Sequence, residues 1–127
     1  MMRERRHNGE YRLPVAVVVE DDDDQRDLLG AIFEESDVQV IACDCADAAM
    51  KVMENVGART VFMFADISDG GGLASEVETR WPHTRLLTTC PYQGQASGAR
   101  AKRTKRIEKP WRALDLIIEL ERAIAAR

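Results

Sequence analysis

The stretch VAVVVEDDDD, residues 15–24, decides the fold. Its first five residues are continuously apolar and four are β-branched valines, which predicts a strand buried on both faces. The run stops on Glu20 and four aspartates. Residues 25–33 then follow helical spacing, with Leu28, Leu29, Ile32 and Phe33 on one face. Acidic residues at 20–24 suit the positive end of that helix's dipole, and Asp23 or Asp24 is the expected N-cap.

The same unit recurs along the chain. Residues 38–43 predict a second strand and 46–56 a second helix, with Ala49, Val52, Met53 and Val56 as its inner stripe, Asp47 near its start and Gly57 as its stop. Residues 60–65 predict a third buried strand ending at Asp66, and 73–81 a short helix closed by Pro82. A fourth strand is expected over 85–89. The last helix is expected over 111–126, with Pro110 in its first turn and Leu114, Ile117, Ile118, Glu121 and Ile124 facing the core. Between them, 91–106 is the weak part. Gly94, Gly98 and five basic residues from 100 to 106 leave a poorly formed helix around 95–102, whose apolar face is only alanine, and a short fifth strand within 104–108. Strands alternating with helices imply right-handed βαβ units, hence an α/β doubly wound parallel sheet with helices on both faces.

Composition sets the bounds. At 127 residues the chain is one domain, since domains run to about 150 residues. It is long enough to bury a core without disulfides or a structural metal. With 45% hydrophobic and 31% charged residues it is not a disordered chain. Eighteen basic against 22 acidic residues give a net charge of -4, so nucleic acid is not an expected partner. No apolar run approaches the roughly 20 residues that span a bilayer, so neither is a membrane. Residues 1–12 are basic and polar, with no apolar segment of a secretory signal, and read as a flexible tail ahead of a domain at 13–127. Cys43, Cys45 and Cys90 show no metal-ligand spacing, and only His7 and His83 could assist them. Reduced thiols in a cytoplasmic protein are the plain reading.

In a parallel sheet of this kind, ligands bind beyond the carboxyl ends of the strands. There the sequence puts Glu20 and Asp21 after strand one, Asp66 after strand three, Thr88, Thr89 and Cys90 after strand four, and Lys109 before Pro110 after strand five. Carboxylates brought together repel one another and stay ionised only beside a cation. Oxygen-only ligands favour Mg2+, which keeps waters and often meets a phosphate. A lysine opposite them would balance a transferred phosphoryl group.

Taken in order over about 13–126, these residues resemble the receiver (CheY-like) domains of bacterial two-component response regulators. The resemblance implies a flavodoxin-like sheet of five parallel strands in the order 2-1-3-4-5 with five flanking helices. It makes Asp66 the phosphoacceptor for a histidine kinase or phosphotransfer protein. It gives Mg2+ to Glu20, Asp21, Asp66 and the backbone carbonyl of Ser68, the phosphoryl oxygens to Lys109, and the switch to the strand-four hydroxyl. Thr89 matches that hydroxyl by type; Cys90 matches it by ungapped count from Trp81-Pro82. Two departures stand out. The loop after Asp66 is glycine-rich at Gly70, Gly71 and Gly72, and Arg106 stands where the family usually has Tyr or Phe three residues before the lysine. With the chain ending at the last helix, the expected output is a protein-docking surface for an unknown downstream protein, with a second copy as another candidate partner. Two other readings are a degenerate receiver that only binds partners, and a small Mg2+-dependent phosphatase of the haloacid-dehalogenase type, which the short chain disfavours.

Overall fold

The computed structural model describes residues 12–68, 70–89 and 104–127. Strand β1 (Val15–Glu20) leads into helix α1 (Asp23–Phe33), then β2 (Gln39–Cys43), α2 (Ala46–Val56), a 3-10 turn (Gly57–Arg59), β3 (Thr60–Asp66), α3 (Gly70–Arg80), β4 (Arg85–Thr88), β5 (Lys105–Arg106) and α4 (Ala113–Ala126). The five strands form one sheet in the order β2-β1-β3-β4-β5, and every neighbouring pair is parallel. Four α-helices stand among the described residues; the helix expected around 95–102 lies outside them.

Strand alternation sorts the core into two layers. Val15, Val17 and Val19 face Ala49 and Met53 of α2 and Leu73, Ala74 and Val77 of α3. Ala16 and Val18 face Leu29 and Phe33 of α1 and Leu116, Leu120 and Ala123 of α4. All of β1 is buried, as its unbroken apolar run requires. In the second layer Phe33 meets Phe62 edge-on at 5.4 Å and Phe64 at 6.1 Å between ring centroids, and Phe64 meets Trp111 edge-on at 6.2 Å. Offset and edge-on contacts are the favoured aromatic arrangement.

Several local expectations are corrected. The N-cap of α1 is Asp22, not Asp23 or Asp24; its carboxylate accepts from the Gln25 backbone N–H at 2.8 Å, and the two aspartates after it sit in the first turn. Helix α3 begins at Gly70, so the glycines are its first turn rather than a loop ahead of it. Helix α4 begins at Ala113 behind Arg112, which leaves Pro110 in the connection and not in the first turn. The face of α4 is also different. Leu114 and Ile118 are exposed and Glu121 points outward to the Ser36 hydroxyl at 2.7 Å, while Leu116, Glu119, Leu120 and Ala123 are buried. Two leucines and an alanine let the helix approach the sheet closely, and the carboxylate among them is satisfied from outside. Similarly on α1, Leu29 and Phe33 are buried and Leu28 is exposed.

Gly57 works differently from a helix stop. Its φ of -56° is ordinary helical backbone, and the chain passes straight into the 3-10 turn. What the position demands is space: a Cβ there would lie 2.2 Å from Trp81 Nε1. The indole in turn is covered by the Arg80 guanidinium at 4.5 Å. Gly57→Ala is therefore expected to cost about 1–3 kcal/mol by overpacking, read as a lower urea midpoint at unchanged slope.

Glu119 is a buried carboxylate on α4. Lys105 Nζ lies 2.7 Å from its Oε2, Arg122 Nη1 3.4 Å from the same oxygen, and Arg85 Nε 3.5 Å from Oε1. Burial alone would raise this carboxyl, but the hydrogen bond and charge of Lys105, with Arg85 and Arg122, outweigh it and hold the group below its ordinary value. A carboxyl lowered on folding adds stability that is complete above its unfolded value and is lost as pH falls through the folded one. Acidification should thus cost Glu119→Gln less stability than wild type, measured by thermal melts from neutral pH downward; equal losses would remove Glu119 from the acid response.

Candidate functional site

The parallel sheet carries the carboxyl ends of β1, β3 and β4 to one rim. Glu20 and Asp66 close β1 and β3 and are direct partners in the strand register. Thr89 follows β4 and still bonds the sheet, its N–H donating to the Ala65 carbonyl at 3.3 Å. Its hydroxyl donates to Asp66 Oδ1 at 2.5 Å. Lys109, three residues past β5, sets its ammonium 3.0 Å from Asp66 Oδ2. The structure thus gathers Asp66, Glu20, Thr89 and Lys109, residues up to 89 positions apart, around one carboxylate.

Glu20 is 4% exposed. Its Oε2 accepts from the Asp22 backbone N–H at 2.9 Å, and its own carbonyl accepts from Arg26 Nη1 at 2.9 Å. Its Oε1 is buried with no hydrogen-bond partner, and so is Asp66 Oδ2 apart from the Lys109 ion pair. Burial, reinforced by the neighbouring Asp66, pushes the Glu20 carboxyl up to about 7 against the lowering by the Asp22 N–H. Asp66 moves the other way. Burial would raise it, but the Thr89 hydroxyl, Glu20 and Lys109 together hold it below the usual carboxylate range. Asp66 is therefore the more readily ionised member of the pair and Glu20 the more readily protonated one.

Asp21 is exposed, beside Glu20, whose carboxyl it also helps to raise. Ser68 is exposed in the turn after Asp66. Cys90 lies outside the described residues, as do the tail residues 1–11. Among the described residues no three His, Cys, Asp or Glu side chains gather tightly enough to make a metal cage. Two carboxylates with orphaned oxygens and open coordination elsewhere suit Mg2+, which is typically held by one or two carboxylates, waters and a substrate phosphate. The donor set is all oxygen, so a hard cation fits it and a soft one does not.

Three features escaped the sequence. Arg26 braces the Glu20 backbone while pairing with Asp23; an arginine one turn into the helix after the acidic run was the available signal. Trp111 packs on Phe64, and with Gln25, Lys109 and Pro110 it lines a 450 Å³ cleft next to the Lys109–Asp66 ion pair. The third is the bond of Thr88, whose hydroxyl on β4 donates to the Ala65 carbonyl at 3.0 Å.

Solved structures resemble the chain over nearly its whole length. NtrX from Brucella abortus in complex with ATP superposes with a TM-score of 0.71 at 26% identity, over 90% of this chain and 27% of that one. The receiver domain of NtrX from Brucella abortus gives 0.70 at 26% identity, over 88% of this chain and 99% of that one. A response regulator receiver domain protein from Clostridium thermocellum gives 0.73 at 18% identity, over 90% and 96%. No protein-family model and no curated protein matches the chain.

Proposed function

We propose that this chain, folded as the receiver domains of response regulators are, is a phosphoacceptor signalling domain with Asp66 as the acceptor. The observation that carries the reading is the setting of Asp66: one oxygen on the Thr89 hydroxyl, the other facing Lys109, and Glu20 alongside. The fold points to signalling rather than to a classical enzyme. No helix among the described residues is long and apolar enough to cross a membrane.

In this reading an Asp66 oxygen attacks the phosphorus of a phosphohistidine presented by a histidine kinase or phosphotransfer protein. The O–P bond forms as the N–P bond breaks, and the imidazole leaves with the electron pair. Mg2+ would be held by Glu20 and Asp66, with Asp21 and the Ser68 carbonyl as further oxygen donors, and supplies charge neutralisation for the incoming phosphoryl group. Lys109 turns its ammonium from the carboxylate to the phosphoryl oxygens. The Thr89 hydroxyl, which now donates to Asp66, follows the new acceptor oxygens and shifts the backbone after β4. The downstream target would read that shift as a changed docking surface.

Acetyl phosphate with Mg2+ tests this directly. Intact mass should rise by one phosphoryl group and return to the starting value on chelation of the metal and hydrolysis. No mass gain would favour the degenerate-receiver reading, in which the rim is retained and only partner binding remains.

A further inference from the structure

The opposite edge of the sheet carries a second, cationic cleft of 360 Å³. It opens where β3 and β4 begin and α4 ends, at the amino ends of the strands, away from Asp66 at their carboxyl ends. Its floor is apolar: Val61, Leu86, Ala123 and Ala126. Its rim is His83, Arg85, Lys105 and Arg127. Clefts of a few hundred Å³ with apolar walls and a few convergent polar groups are what small ligands occupy.

The charge of the rim is not balanced. Arg85 and Lys105 share one carboxylate, Glu119, with Arg122. Two rim cations thus share a single carboxylate, itself also held by Arg122 outside the cleft, and Arg127 forms no ion pair among the described residues. Arg85 and Lys105 are 40% and 55% exposed, so Glu119 fixes their stems without covering their heads. The chain as a whole has a net charge of -4, which makes this concentration of positive charge a local property of the cleft. His83 is held at the mouth by its Nε2 contact with the Gly57 carbonyl, at 2.8 Å.

We propose that this cleft binds a small organic anion, a phosphate or carboxylate head group on an apolar body. The head group meets Arg85, Lys105 and Arg127, with guanidinium forks suited to planar or tetrahedral oxyanions. The body covers Leu86, Val61 and the last turn of α4. Because α4 also packs under β3, and β4 leads to Thr89, a ligand here touches elements that carry the acceptor rim. The site is independent of the phosphoacceptor reading, since none of its residues lines that rim.

Titration of the ¹⁵N-labelled full chain with phenyl phosphate, without Mg2+, tests it, with benzoate and inorganic phosphate run in parallel. The amides of His83, Leu86, Ala123 and Ala126 should shift and saturate. Inorganic phosphate, which lacks the body, should bind about tenfold more weakly. Saturable binding of either organic probe supports the proposal, and the tighter of the two names the head group. Ala126→Leu fills the floor from an exposed helix end, and Arg127→Glu reverses the rim; each should weaken binding about tenfold. Asp66→Asn should bind as wild type does, which separates this site from the acceptor. Shifts that never saturate, shifts centred on Asp66 and Lys109, or affinities unchanged in both cleft variants would overturn the proposal.

Discussion

Asp66→Asn should take up no phosphoryl group from acetyl phosphate and Mg2+ under conditions that fully label the wild type, while keeping its fold. The chemical effect is complete because asparagine has no anionic oxygen to attack phosphorus, and Glu20, buried with its Oε2 on the Asp22 N–H, does not replace it. The effect on stability is small because two changes oppose each other. Loss of the Lys109 ion pair removes a favourable contact, while loss of one of two adjacent carboxylates relieves the repulsion that raises Glu20. The asparagine oxygen also still accepts from Thr89. A shift within about 1 kcal/mol is expected in urea unfolding, so a lost adduct is attributable to the acceptor and not to misfolding. An adduct that survives in the variant would place the nucleophile elsewhere and end the assignment of Asp66.

The largest loss of stability is expected at Phe33. It is fully buried at the end of α1 and touches both Phe62 and Phe64 of β3. Phe33→Ala removes the ring that ties α1 to the central strand and leaves a cavity between layers that cannot close, because Leu116 and Leu120 of α4 are already packed on the same strand face. The expected cost is about 3–5 kcal/mol, out of a total stability of about 5–15 kcal/mol for a typical domain. In urea this appears as a midpoint lowered by about 1–3 M at constant slope. Phe33→Leu keeps most of the apolar area and should lose clearly less. Equal losses for the two would mean that the aromatic contacts, not the filled volume, hold the helix. Since Phe64 lies two residues before Asp66 and touches Trp111, the alanine variant should also loosen the acceptor rim.

The centre of the sheet was legible from sequence because β1 and β3 are buried on both faces. Residues 15–19 and 61–65 are apolar without interruption, and only a central parallel strand asks for that. The rim was legible for a related reason: polar residues directly after such runs have nowhere to go but the end of the sheet. Asp66, Glu20 and Thr89 were readable this way, whereas Lys109 follows no such run and was marked by its place before Pro110. What could not be read were choices that depend on neighbours. Residues 113–126 carry two helical stripes, one through Leu114 and Ile118 and one through Leu116 and Leu120, and periodicity alone does not rank them. The second is buried because Lys105 and Arg85 arrive from the neighbouring strands, with Arg122 one turn along the helix, to satisfy Glu119. Gly57 looks like any helix-ending glycine until Trp81, 24 residues later, is found lying on it. The capping aspartate among four in a row is likewise settled by where the strand lets go of the chain.

Strand β5 contributes two residues, Lys105 and Arg106, and both are exposed. It borders the sheet on the side away from β2. A long, flat, uncharged border would offer a ladder of free amides and carbonyls on which a foreign chain could zip up. Among the described residues the border is two register pairs long and made of two long charged side chains, Lys105 and Arg106. The protein can therefore keep a parallel sheet open at this flank without inviting fibre growth, and association through this flank must use side chains rather than backbone.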